Sequence, residues 1–259
     1  MMEEKKDYKP IGVFDSGVGG LTVFKRLVQM RPDLDYIYFG DTKNLPYGEK
    51  TKEELLKIAR EIFDFFEEKK VSSVVMACNT SSAQVYEELK DAYSFKLYPI
   101  IQTAAECIAS DKTIKKIVVF ATNATVKSGM YSKSLKQHNP QIETLEIACP
   151  EWVSIVEKKL DNFNKDELLL KYLKPALDFE PDRIILGCTH YPYLLESLSK
   201  YAKKELFVDP AISFAACVLN DYPKIQQKGT KTFFTSSSPE EFVKNASVFY
   251  NIEEKVEPV

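Results

Sequence analysis

The sequence predicts an α/β fold of parallel, helix-covered sheets, and three observations lead there. Short apolar runs rich in β-branched and aromatic residues alternate with longer helical patterns from one end of the chain to the other. Several of these runs are apolar at every position, as strands buried on both faces are. At 259 residues the chain is long enough for two domains of roughly 150 residues each.

In order, the strands read as 11–14, 36–39, 73–77, 97–101, 116–121, 143–147, 183–186, 206–208 and 231–234. Between the second and third, 51–69 places Leu55, Ile58, Ala59, Ile62, Phe65 and Phe66 at helical spacing, and Thr51 with Glu54 makes a capping box. Ser238, Pro239 and Glu241 give a C-terminal helix its N-cap, first-turn proline and capping glutamate. Two distant segments match when aligned: 72–80 and 182–190 both read strand, small residue, cysteine, polar pair. More faintly, 11–17 echoes 117–123. Two related half-molecules give this pattern, and so does any pair of buried strands in an α/β protein.

Composition narrows the function. Hydrophobic residues make up 44% and charged residues 28% of the chain, ordinary globular usage. Thirty-five basic against 38 acidic residues, with no basic block, argue against nucleic acid as the main partner. No apolar run approaches the roughly 18 residues of a membrane span. The charged N-terminus lacks the pattern of a secretory leader, so a cytoplasmic protein is expected. Five widely spaced cysteines without a C-x-x-C, beside two histidines, fit neither a disulfide framework nor a zinc site. The expected partner is a small molecule, with no metal.

Four of the nine glycines, Gly12, Gly17, Gly19 and Gly20, crowd into nine residues around Asp15 and Ser16, so something must approach that backbone closely. Their spacing is not that of a nucleotide loop. Asp15 and Ser16 sit at the carboxyl end of the first strand, where open α/β sheets bind ligands; alternatively, Asp15 caps the helix beginning near Gly19. Cys107, Cys149 and Cys217 read as small buried hydrophobes. Cys78 and Cys188 differ, because each ends a strand and precedes a helix whose N-terminus lowers a thiol pKa. Asn79 and Thr80, like Thr189 and His190, then add donors for an anion such as a carboxylate. Two such sites facing one amino acid permit a two-base inversion: one thiolate removes the Cα proton while a thiol on the other face delivers one. Cys188 with His190 as a lone acyl-transfer pair remains open, but leaves Cys78 unexplained.

The segments IGVFDSGVGG (11–20), GDT (40–42), PYG (46–48), ACNT (77–80), ACP (148–150) leading to Glu157, and LGCTHYP (186–192) resemble those of the glutamate racemase family over nearly the whole chain. The resemblance implies two pseudo-symmetric α/β domains with the active site in the cleft between them, 1–100 plus 210–259 forming the first and 101–209 the second. It implies a cofactor-independent isomerase that forms D-glutamate for peptidoglycan and acts as a homodimer. It implies catalysis by Cys78 and Cys188 assisted by Asp15, Glu157 and His190. Substrate contacts then fall on Asp15, Ser16, Tyr47, Gly48, Asn79, Thr80, Thr122, Thr125, Thr189 and His190. By position alone, Tyr47 is equally a surface-loop aromatic and Glu157 one charge on a solvated helix face. His138 reads as an exposed helix end. Aspartate or another small acid as substrate, or a cleft that only binds an acidic metabolite, are the competing functions.

Overall fold

The computed structural model describes residues 9–157 and 164–259. Among the described residues ten strands are numbered in chain order: β1 (Ile11–Asp15), β2 (Tyr36–Gly40), β3 (Ser73–Met76), β4 (Lys96–Pro99), β5 (Lys116–Ala121), β6 (Glu143–Ala148), β7 (Arg183–Gly187), β8 (Phe207–Val208), β9 (Lys231–Thr235) and β10 (Val256–Pro258). They form two sheets, ordered β10-β9-β2-β1-β3-β4 and β6-β5-β7-β8, and every ladder is parallel. The helices are α1 (Leu21–Met30), α2 (Lys52–Glu68), α3 (Asn79–Leu89), α4 (Ile100–Ala109), α5 (Asn123–Ser128), α6 (Met130–His138), α7 (Glu151–Val156), α8 (Lys165–Asp178), α9 (Leu195–Leu198), α10 (Pro210–Leu219) and α11 (Pro239–Ala246).

The order β2-β1-β3-β4 in the first sheet repeats as β6-β5-β7-β8 in the second. The 72–80 and 182–190 segments are therefore equivalent places, β3 and β7 each with its succeeding loop, and 11–17 matches 117–123 through β1 and β5. α4 carries the chain from the first sheet to the second and α10 carries it back, and the two pack against each other.

Side-chain alternation divides the core. Ile11, Val13 and Val75 join a large cluster that continues through α4 and α10 into β5 and β7. Phe14, Val74 and Met76 face the other way, onto Leu55, Ile62, Phe63 and Phe66 of α2. The Thr51 capping box forms as expected, Thr51 accepting from the Glu54 amide while Glu54 accepts from that of Thr51, whereas Ser238 acts as an N-cap alone, accepting from the Glu241 amide.

Two elements depart from the sequence reading. The run at 97–101 leaves the sheet at Pro99, and Ile100 and Ile101 open α4; a segment apolar on every side carries no period to separate strand from helix. β10, three residues on the sheet edge with only Val256 buried, is too short to signal itself.

Candidate active site

The site forms where the carboxyl ends of β1, β3, β5 and β7 converge. Asp15 closes β1 fully buried, and the chain turns through Ser16–Gly20 into α1. Its Oδ1 accepts from the Gly17 amide at 3.0 Å, while Oδ2 is buried without a hydrogen bond. Burial raises its pKa, against the opposing charge of His190 and the amides of Gly20 and Gly17. α1 begins after Gly20 with no side-chain cap, so Asp15 is not a helix cap. The glycines are explained by protein, not by a nucleotide: a Cβ on Gly19 would lie 2.5 Å from the His190 ring and the Thr189 hydroxyl. The β1 loop thus presses directly on the β7 loop.

Cys78 is the N-cap residue of α3, and its thiol donates to Ser16 Oγ at 3.6 Å. The sequence reading expected the helix N-terminus to lower its pKa. Instead burial, reinforced by the nearby Asp15 charge, pushes it up to about 11, overriding the Ser81 and Ser16 hydrogen bonds that favour the thiolate. Cys78 rests as a neutral thiol.

Cys188 differs in a second way. It is followed by a turn, then a short 3-10 segment at Tyr191–Leu194, so no regular helix starts at the sulfur. Its polarising partner is a side chain: His190 Nδ1 lies 3.8 Å from Cys188 Sγ, and His190 Nε2 lies 3.0 Å from Glu157 Oε1. Burial alone would lower the His190 pKa, but the hydrogen bonds to Cys188 and Glu157 and their charges outweigh it, raising the pKa to about 10. Both ring nitrogens of His190 are thus engaged, Nδ1 towards the Cys188 sulfur and Nε2 towards the Glu157 carboxyl, and the raised pKa favours the imidazolium. Glu157 ends α7 with its side chain 14% exposed, so it is not on a solvated helix face.

One cavity of about 300 Å³ joins these groups. Both Cys78 and Cys188 line it, with Ser16, Tyr47, Gly48, Asn79, Thr80, Thr122, Glu157, Thr189 and His190. Asp15 and Thr125 are fully buried behind its wall. Thr125 instead bonds Thr80 and Thr122, whose hydroxyls are 2.9 Å apart. Among the described residues the lining offers an anionic ligand hydroxyls, amides, the first N–H groups of α3 and the His190 charge. Among the described residues, no three His, Cys, Asp or Glu side chains gather as a metal site, and no helix is long and apolar enough to cross a membrane.

Two residues that support the site escaped the sequence reading. Asp41 is buried and accepts from Tyr47 Oη at 2.5 Å, Asn44 Nδ2 at 3.0 Å and Ser236 Oγ at 2.5 Å. It fixes the 45–49 segment that walls the cavity and buries Tyr47, which is no surface aromatic. The signal was present, since Asp41 lies in the GDT segment that helps carry the resemblance. Tyr131, fully buried in α6, donates to Asn79 Oδ1 at 2.6 Å, leaving Asn79 Nδ2 buried without a protein partner at the cavity. No local pattern marks it, because its partner is 52 residues away.

A sequence profile of the Asp/Glu/hydantoin racemase family matches residues 11–217. A glutamate racemase of Thermoanaerobacter sp. (strain X514) is 42% identical over 98% of this chain and 97% of its own length. The crystal structure of glutamate racemase from Francisella tularensis subsp. tularensis SCHU S4 in complex with D-glutamate superposes with a TM-score of 0.88 at 29% identity, covering 98% of both chains. That of a Bacillus anthracis glutamate racemase isoform gives 0.90 at 29% identity, covering 97% of both. With cysteines after equivalent strands of its two sheets opening on one cavity, and a match along most of its length, the chain belongs to the Asp/Glu/hydantoin racemase family.

Proposed function

We propose that the protein interconverts L- and D-glutamate by a two-base proton transfer between Cys78 and Cys188, with D-glutamate going to peptidoglycan. The observation that carries this reading is that two thiols with different neighbours open on one cavity, Cys78 against the Ser16 hydroxyl and Cys188 against the His190 ring. Cys188, beside the His190 imidazolium, is the base, and Cys78, held neutral by burial, is the acid.

With substrate bound, the Cys188 thiolate takes the Cα proton and the Cys78 thiol protonates the opposite face. The carboxylate that gathers charge in the transition state lies against neutral donors, such as Asn79 Nδ2 and the Thr80 and Thr189 hydroxyls. After one turnover the proton inventory is reversed, Cys188 a thiol and Cys78 a thiolate, which is the form that accepts the other enantiomer. Asp15, whose pKa is raised beside Cys78, and His190, beside Cys188, are the groups placed to restore the first form.

The test is loss of optical rotation from L-glutamate and, separately, L-aspartate with no added cofactor, together with deuterium uptake at Cα from heavy water. Rotation lost from glutamate supports the proposal. Rotation lost from aspartate alone replaces the substrate, and binding without deuterium uptake overturns catalysis.

A further inference from the structure

The cysteines left out of the cavity are not all inert fillers. Cys107, near the end of α4, and Cys217, near the end of α10, place their sulfurs 2.8 Å apart, closer than the ~3.5–4 Å of ordinary non-bonded contact. Both are free thiols of intermediate burial, within reach of a small reagent. They stand on the two helices that carry the chain between the sheets, so a bond between them closes a loop containing the whole of β5–β8.

We propose that Cys107 and Cys217 form a modification site, an intramolecular disulfide made by exchange with a low-molecular-weight disulfide. The thiolate of one cysteine attacks the small disulfide, forming a mixed disulfide and releasing one small thiol. The other cysteine then attacks the protein sulfur of that bond, closing Cys107–Cys217 and releasing the second thiol. Two electrons pass to the reagent and both cysteine protons end on, or in equilibrium with, the released thiols. Burial and the neighbouring thiol push Cys107 up to about 12, so the exchange quickens as pH rises. The bond pins α4 to α10 and restrains one sheet against the other.

The site is tested on the full chain with oxidised glutathione at mildly alkaline pH. Trypsin places the two cysteines in separate single-cysteine peptides, 97–112 and 205–224. The expected result is a linked pair of these peptides, with a Tm rise of about 5–10 °C that dithiothreitol reverses. Neither change occurs in Cys107→Ser or Cys217→Ser. The proposal is overturned if glutathione remains on either cysteine with no cross-link, if the pair stays reduced while Cys78 or Cys188 is modified, or if the Tm rise persists in Cys107→Ser. None of these readouts depends on the substrate proposed above.

Discussion

Replacing Glu157 by glutamine removes a charge from beside His190 while keeping the side chain's shape and an acceptor oxygen. The two groups are 3.0 Å apart with side chains only 5% and 14% exposed, so solvent screens little of the interaction. A hydrogen bond to a charged group is worth about 1.5–3 kcal/mol, and ~1.4 kcal/mol is a factor of ten. The proton affinity of His190 should therefore fall about 10- to 100-fold from its raised value near 10. One to two units below about 10 still leaves His190 mainly protonated at neutral pH, so kcat/KM changes little there and falls on the alkaline side, where its limb moves acidward by about one to two pH units. Because enantiomers have equal free energies, kcat/KM must fall equally from L- and D-glutamate, and asymmetry can appear only in kcat and KM separately. Stability follows the same group. Its raised pKa stabilises the fold fully below the unfolded value of 6.5, and this is lost as pH rises through about 10, so the variant should lose less stability across that window than the wild type. Circular dichroism progress curves from each enantiomer, with urea melts at matched pH, measure both effects. An unmoved alkaline limb with an undiminished rate would refute the His190–Glu157 assignment.

Other substitutions probe the remaining groups. Cys78→Ser and Cys188→Ser should each reduce kcat/KM at least about 10²- to 10⁴-fold from either enantiomer, in the same polarimetric assay. Gly19→Ala drives a methyl into the His190 ring and the Thr189 hydroxyl, so activity should fall more than tenfold and urea unfolding should show about 1–3 kcal/mol of lost stability. Tyr131→Phe strips the hydrogen bond that orients Asn79 and leaves its buried Oδ1 without that donor, so a KM rise of about tenfold in steady-state kinetics and a loss of about 1–3 kcal/mol in urea unfolding are expected. Phe24 meets Tyr36, Tyr38, Phe233 and Tyr250 at centroid distances of 5.2–5.8 Å, so Phe24→Ala should cost about 3–5 kcal/mol by chemical denaturation.

How much of the fold and site was legible in the sequence depends on how local each signal is. Nine strands were placed because a buried parallel strand shows its apolar run within five residues. The cysteines stood out because strand, thiol and polar pair are contiguous. The electrostatics were not legible, since they depend on depth. Cys78 and Cys188 are spelled alike and buried alike, yet the fold sets one near Asp15 and the other beside a histidine that meets a glutamate 33 residues away. Asp15 and Thr125 were assigned to the substrate, while the fold sets both behind the cavity wall. The Cys107–Cys217 approach spans 110 positions and no pattern along the chain could announce it.

The repeated strand order carries a consequence for the kind of chemistry this architecture suits. Two copies of one unit, set around a shared hollow, give it a left wall and a right wall that are variants of each other. A molecule and its mirror image need just such a chamber, in which each hand meets an equivalent surface. Small differences between the walls, a serine hydroxyl beside Cys78 and an imidazole beside Cys188, tell the two sides of the hollow apart.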